Sequence, residues 1–246
     1  MSREYPLDRT AVWQRWASTL LWIGFLAGGS LSVLQARWVF ELSTAFLGGV
    51  AGGLLIVSAT VGWSLSRVEG PITLATAVTL GRGAALVVFA GFLVAGFPTG
   101  RAAWLPAVLF ALAAGLDTVD GALARATDSV SDLGARLDTE MDGLTVLIGT
   151  VAVVSTDLVP TLFVVVGLAR YLFVFGIWLR QRRGLPVYDL PPSQLRRVLG
   201  GLAMATIWLV LLPVVEPSVA RPVAIVVLIP FVLNFSRDWL AVSGRR

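Results

Sequence analysis

The chain has 246 residues, 57% of them hydrophobic and 14% charged, with a mean hydropathy of +0.83; that balance excludes a soluble domain and marks an integral membrane protein. Nineteen basic residues, all arginine, stand against fifteen acidic ones for a net charge of +4. Cysteine and histidine are absent, which excludes a disulfide framework, a thiol nucleophile, an imidazole base and the usual zinc sites, so any metal must be held by oxygen.

Eight charge-poor runs are long enough, or nearly so, to cross a bilayer at about 17–25 residues each: 16–36, 43–65, 77–97, 102–122, 138–157, 158–179, 197–215 and 221–241. They lack strict alternation and are rich in Leu, Ala and Gly, which predicts an all-α polytopic bundle in place of a β-barrel. The first run follows Arg3, Arg9 and Arg15. It is too long for a typical signal-peptide core and has no A-x-A cleavage site, so it reads as a retained span. The first two runs carry Gly28-Gly29, Gly48-Gly49 and Gly52-Gly53, small residues that let helices pack closely. With no ionisable residue between their ends, they form an N-terminal helical pair, residues 1–70. The six later spans, residues 71–246, hold nearly all the informative polar groups.

If the N-terminus is cytoplasmic, only Arg37, Arg101 and Arg221 fall on the far side and Arg170 lies inside a span, as the positive-inside rule requires. Trp13, Trp16, Trp38, Trp63, Trp104, Trp178 and Trp239 lie near span ends, where an interfacial aromatic belt sits, and Trp22 and Trp208 lie deeper. The basic excess thus reports orientation in a cell membrane and contact with anionic lipid, with no nucleic-acid partner. In this topology the fourth-to-fifth span junction and the Arg- and Pro-rich loop 180–197 both face the cytoplasm.

That junction reads DTVDGALARATDSVSDLGARLDTEMD, residues 117–142. Asp117 and Asp120 stand three apart with Gly121 and Ala124 on the same helical face; Asp138 and Asp142 stand four apart with Gly134 one turn earlier. Two helices therefore aim two carboxylates each at one point. Four carboxylates repel unless a cation lies between them, and oxygen-only ligation selects hard divalent ions, Mg²⁺ or Mn²⁺. A pair of such ions about 3.5–4 Å apart activates an attacking oxygen and stabilises a leaving one in phosphoryl transfer. Asp128 and Asp132 lie in the short connection and read as solvated. A divalent-cation transporter is the competing class; its ligands belong near the midplane on broken helices or inverted repeats, and the sequence has neither.

Written D-x2-D-G-x2-A-R-x8-G-x3-D-x3-D, the segment resembles the signature of the CDP-alcohol phosphotransferase (CDP-alcohol phosphatidyltransferase) family of membrane enzymes. All eight specified positions match: Asp117, Asp120, Gly121, Ala124, Arg125, Gly134, Asp138 and Asp142. The resemblance covers the six-span core, about 72–246, and leaves the first two spans outside. It implies that an alcohol hydroxyl attacks the β-phosphorus of a CDP-linked lipid such as CDP-diacylglycerol and releases CMP. Asp117, Asp120, Asp138 and Asp142 would hold two divalent ions, with Asp142 also the general base. Asp117, Gly121, Ala124 and Arg125 would receive the nucleotide. A non-catalytic CDP-lipid-binding scaffold is the alternative that keeps the motif without turnover, and a homodimer through the core spans is the family-level expectation.

Weaker matches flank the motif. Thr79 and Arg82 follow a T-x-x-R arrangement similar to the family's first core span, with Thr76 where many relatives have Asn. Thr79 is expected to cap a helix or to hydrogen-bond cytidine, and Arg82 serves equally as an interfacial anchor. Arg170 is read as the one basic residue deep in a span, where an unpaired charge costs roughly 2.5–3.5 kcal/mol, so it needs a structural partner or an anionic substrate. Arg196 and Arg197 resemble basic positions that meet phosphate-bearing acceptors. With Arg180, Arg182 and Arg183 they favour glycerol 3-phosphate or inositol phosphate as acceptor. Arg237 and Asp238 read as a local interfacial ion pair without a catalytic role.

Overall fold

The computed structural model describes residues 9–38, 40–68, 71–126 and 131–245, with the side chains of 9–11 and 117–126 outside that description. The regular structure among them is helical, as expected: α1 Arg9–Trp38, α2 Thr44–Leu65, α3 Leu74–Ala95, α4 Leu105–Ala126, α5 Asp132–Val154, α6 Val164–Arg182, α7 Gln194–Leu211 and α8 Pro217–Val242. Six of them, α1 to α3 and α6 to α8, are long and apolar enough to cross a membrane. The fourth and fifth expected spans fall short of that mark because α4 and α5 share their length between apolar residues and the acidic motif; the apolar part of α4, with the 3-10 turn before it, is Gly100–Leu116.

Helix starts carry side-chain caps. Ser43, Thr73, Ser131 and Ser193 each accept a hydrogen bond from the backbone N–H three residues on, at 3.2, 3.2, 3.1 and 3.4 Å, which satisfies donors that the helix itself leaves open. The junction expected at 157/158 is instead a nine-residue break: α5 stops at Val154, Asp157 takes a left-handed conformation at φ 59°, and Pro160 precedes the turn that leads into α6.

Contact density divides the chain into two compact units, Met1–Thr145 and Val146–Arg246, with the division inside α5. In the first unit α3 is the central helix. Every residue from Arg82 to Phe92 is buried, the mark of a helix covered on all sides, and α1, α2 and α4 pack around it. A Cβ on Gly49 of α2 would lie 2.6 Å from the Ala90 carbonyl oxygen and 2.8 Å from the Gly91 Cα; one on Gly53 would lie 2.8 Å from the Ala90 Cβ. Glycine is thus what lets α2 and α3 touch backbone to backbone. Phe46 closes the contact over Gly91, with its ring 5.0 Å from Phe92 and 4.9 Å from Phe40. Gly28, Gly29, Gly48 and Gly52 meet nothing within 4 Å among the described residues. Adjacent helical positions point about 100° apart, so one member of each α2 pair faces α3 and the other does not. Gly49→Val is therefore expected to destabilise the protein by about 1–3 kcal/mol and Gly48→Val by less than about 0.5 kcal/mol, read by thermal unfolding in detergent.

The indole N–H groups of Trp16 and Trp22 donate to the carbonyls of Ser58 on α2 and Ala77 on α3, at 3.0 and 3.3 Å, which fastens α1 to its neighbours. In the second unit α6 and α7 each pack on α8. Trp239 of α8 covers Gly176 and meets Phe173 edge to face at 5.8 Å. The loop after α6 is held against the end of α8: the Tyr188 N–H donates to the Val242 carbonyl at 3.1 Å, and the Arg180 guanidinium donates to the carbonyls of Pro186 and Ser243 at 2.8 and 3.1 Å.

Candidate active site

The apolar stripe of α5 decides where its carboxylates point. Leu133, Leu137, Met141 and Leu144 are buried, and a Cβ on Gly83 of α3 would lie 3.6 Å from the Met141 sulfur. Asp138 and Asp142 follow Leu137 and Met141 by one residue, about 100° further round the helix. They sit on the flank of the stripe with side chains 37% exposed.

Both meet Arg82. This arginine lies inside α3 with none of its surface exposed. Its Nε donates to the Ala113 carbonyl of α4 at 2.8 Å, one terminal nitrogen donates to Asp138 Oδ1 at 2.7 Å, and the other to Asp142 Oδ1. The planar guanidinium fork, with five N–H groups in fixed directions, is the side chain suited to serve three acceptors at once. The expectation of an interfacial anchor is corrected: Arg82 is a wholly buried cation that joins α3, α4 and α5, and Arg170 is not the only arginine within an apolar span. Burying the charge is tolerated because two carboxylates and a carbonyl surround it.

Thr79 lies one turn before Arg82, is buried, and donates from its hydroxyl to the Ala75 carbonyl at 3.2 Å. It does not cap α3. Thr73 does, in a reciprocal capping box with Thr76. Gly134 lies where the starts of α3 and α5 meet: a Cβ there would lie 3.1 Å from the Ser131 hydroxyl and 3.7 Å from that of Thr76. The side chains of Asp117, Asp120, Gly121, Ala124 and Arg125 lie outside the described residues, as does Asp128, although 117–126 continue the backbone of α4. Among the described residues no three metal-ligating side chains gather. The described part of the site is Asp138 and Asp142 converging on the Arg82 guanidinium, and the donors these two aspartates offer are carboxylate oxygens, the kind that hard divalent ions favour.

The second unit holds a cavity of about 480 Å³. Arg170 of α6, Arg196 of α7, and Asn234 and Asp238 of α8 supply its polar wall, and Leu190, Phe173, Phe231 and Phe235 are among its apolar lining. Arg196 pairs through Nε with Asp238 Oδ2 at 3.6 Å and donates to the Pro191 carbonyl, while the Asn234 amide donates to the same Asp238 oxygen at 3.1 Å. Of the three arginines expected near an acceptor, Arg170 and Arg196 share this cavity, whereas Arg197 is exposed and does not line it. Asp238 turns to Arg196 and Asn234, because neighbours in sequence point to different faces of a helix. The local pair expected between Arg237 and Asp238 is thus replaced by one that crosses from α8 to α7. Arg180 is committed to loop carbonyls and Arg182 lies 4.6 Å over the Trp178 ring, so neither joins the cavity lining.

Residues 72–236 match the family model for CDP-alcohol phosphatidyltransferase. No curated protein and no solved structure gives a match.

Proposed function

Because the chain belongs to the CDP-alcohol phosphatidyltransferase family, whose members are membrane transferases, we propose that it moves a phosphatidyl group from CDP-diacylglycerol or a related CDP-linked lipid to an alcohol, with release of CMP. The observation that carries this reading is the convergence of Asp138 and Asp142, two of the motif's four aspartates, on a single cationic centre. Asp117 and Asp120, on α4, complete the proposed ligand set, and Mg²⁺ or Mn²⁺ bound there would polarise the diphosphate and acidify the alcohol. Asp142 takes the hydroxyl proton as the oxygen attacks the β-phosphorus. The bond between that phosphorus and the bridging oxygen breaks, and CMP leaves with the electron pair. No strong general acid is required, since the second pKa of a phosphate monoester is about 6. Arg125 neutralises the diphosphate, Gly121 and Ala124 let the nucleotide approach the α4 backbone, and Thr79 contributes to the cytidine side. On this reading the site opens to the cytoplasm and α1 with α2 form an accessory pair ahead of the catalytic core.

The acceptor side is assigned to the cavity of the second unit. Two arginines with an adjoining carboxylate and amide suit an alcohol that carries a phosphate, glycerol 3-phosphate or inositol phosphate, with the anion on the arginines and hydroxyls on Asp238 and Asn234. Arg170→Ala and Arg196→Ala are expected to raise the acceptor KM by about tenfold or more, the scale of a lost charge-assisted hydrogen bond, with less than about threefold effect on the CDP-lipid KM. Equal effects on both would return these residues to a structural role. The test of the whole reading is CMP release by the purified protein with CDP-diacylglycerol, Mg²⁺ or Mn²⁺, and each acceptor in turn. Metal-dependent release with one acceptor supports it, whereas metal flux into sealed vesicles without release, or CDP binding without turnover, replaces it with transport or with a scaffold.

A further inference from the structure

We propose that Arg82 is a positioning residue of the metal centre, a tethered cation that holds Asp138 and Asp142 in register and limits how tightly the site binds divalent ions. The inference rests on the assignment of those two aspartates as metal ligands made above. Three observations carry it. The guanidinium is wholly buried, so its charge is fixed in the protein and unscreened on its own side. Its Nε is bonded to the Ala113 carbonyl, so a third helix sets the plane of the fork and prevents it from following the carboxylates if they move. Finally, Asp138 and Asp142 both meet it through Oδ1; a carboxylate has two oxygens and about four lone-pair sites, so one side chain can serve more than one cation.

The charges then have a consequence. Four aspartates balance two divalent ions, and Arg82 leaves such a core with a positive charge in excess, ready for an anionic diphosphate. The same charge opposes the metal ions themselves. A fixed unit charge bonded to the same carboxylates would repel a divalent ion held by them even at the effective dielectric of a part-exposed site, whereas loss of one preorganising fork is a smaller effect of opposite sign. Repulsion wins, so removing the charge should tighten metal binding while it disorders the carboxylates.

The experiment is a Mn²⁺ titration of the purified full chain followed by electron paramagnetic resonance, alongside CMP release, for wild type, Arg82→Gln and Arg82→Lys. Arg82→Gln is expected to bind Mn²⁺ about tenfold more tightly while turnover falls about tenfold or more. A residue that merely braces three helices would leave Mn²⁺ affinity unchanged or weaker, and either result overturns the proposal. Arg82→Lys keeps the charge without the fork, so its Mn²⁺ affinity should stay within about twofold of wild type while turnover drops. If Arg82→Gln yields no folded species on gel filtration, the lysine variant decides, and wild-type turnover there overturns the positioning role. A wild-type protein that binds no Mn²⁺ would remove the metal assignment itself, an outcome distinct from wild-type binding that Arg82→Gln leaves unaltered.

Discussion

Asp142→Asn is expected to lower the rate of CMP release by about 10³-fold, within the 10²–10⁴ range of a lost general base, while CDP-lipid affinity changes by less than about threefold. Asparagine preserves the shape of the side chain and its amide oxygen still accepts from Arg82. Asp138 remains to balance that buried charge. The fold should therefore survive, and unfolding in detergent should show it. What is lost is the basic oxygen in the middle of α5. A carboxylate beside a metal ion would be a weak base, and an ion held there would itself acidify the alcohol; Mn²⁺ affinity must be measured on the same variant to separate the two. Asp117→Asn should behave differently, weakening metal and nucleotide binding together, because that residue is assigned to both. Normal turnover in the two variants would sink the aspartate site.

The membrane class and the acidic motif were legible because both are local. Runs of about twenty apolar residues are a direct consequence of bilayer thickness, and carboxylates at three- and four-residue spacing declare a shared helical face. The partners of those carboxylates were not legible in the same way. Arg82 is separated from Asp138 by more than fifty positions, and residue type alone does not distinguish a buried arginine from an anchor near the end of a span. Its place in the middle of an apolar run was the available signal. Asp238 was misread for a related reason: its sequence neighbour Arg237 is also an arginine, yet helical geometry turns it toward Arg196 and Asn234 on the cavity wall. The α2 glycine pairs were read correctly in kind, whereas Gly28 and Gly29 meet nothing within 4 Å among the described residues; periodicity alone does not say which member of a pair meets a neighbour, and the position of α3 chose Gly49 and Gly53.

Gly121→Leu is expected to abolish CDP-lipid binding at concentrations that saturate wild type, a loss of about 10²-fold or more if the side chain costs about 3 kcal/mol of overpacking against the nucleotide. Mn²⁺ binding should be retained, because leucine removes no carboxylate. Gly121 lies within the helical backbone of α4, and leucine is favoured over glycine there by roughly 0.8 kcal/mol of helix propensity, so thermal stability should hold or rise even as donor binding disappears. Gly134→Ala is the matched contrast. Its new methyl group would press on the Ser131 hydroxyl that caps α5, and disturbing a cap costs about 1 kcal/mol, so this variant should melt earlier while CDP-lipid affinity stays within about threefold of wild type, as expected for a change that leaves nucleotide contacts intact. Opposite movements of stability and donor affinity in the two glycine variants would distinguish a glycine that receives substrate from one that packs helices. If Gly121→Leu bound CDP-lipid normally, the nucleotide would have to lie elsewhere than along the Asp117–Arg125 face, and the residue-by-residue reading of the motif on α4 would fail with it.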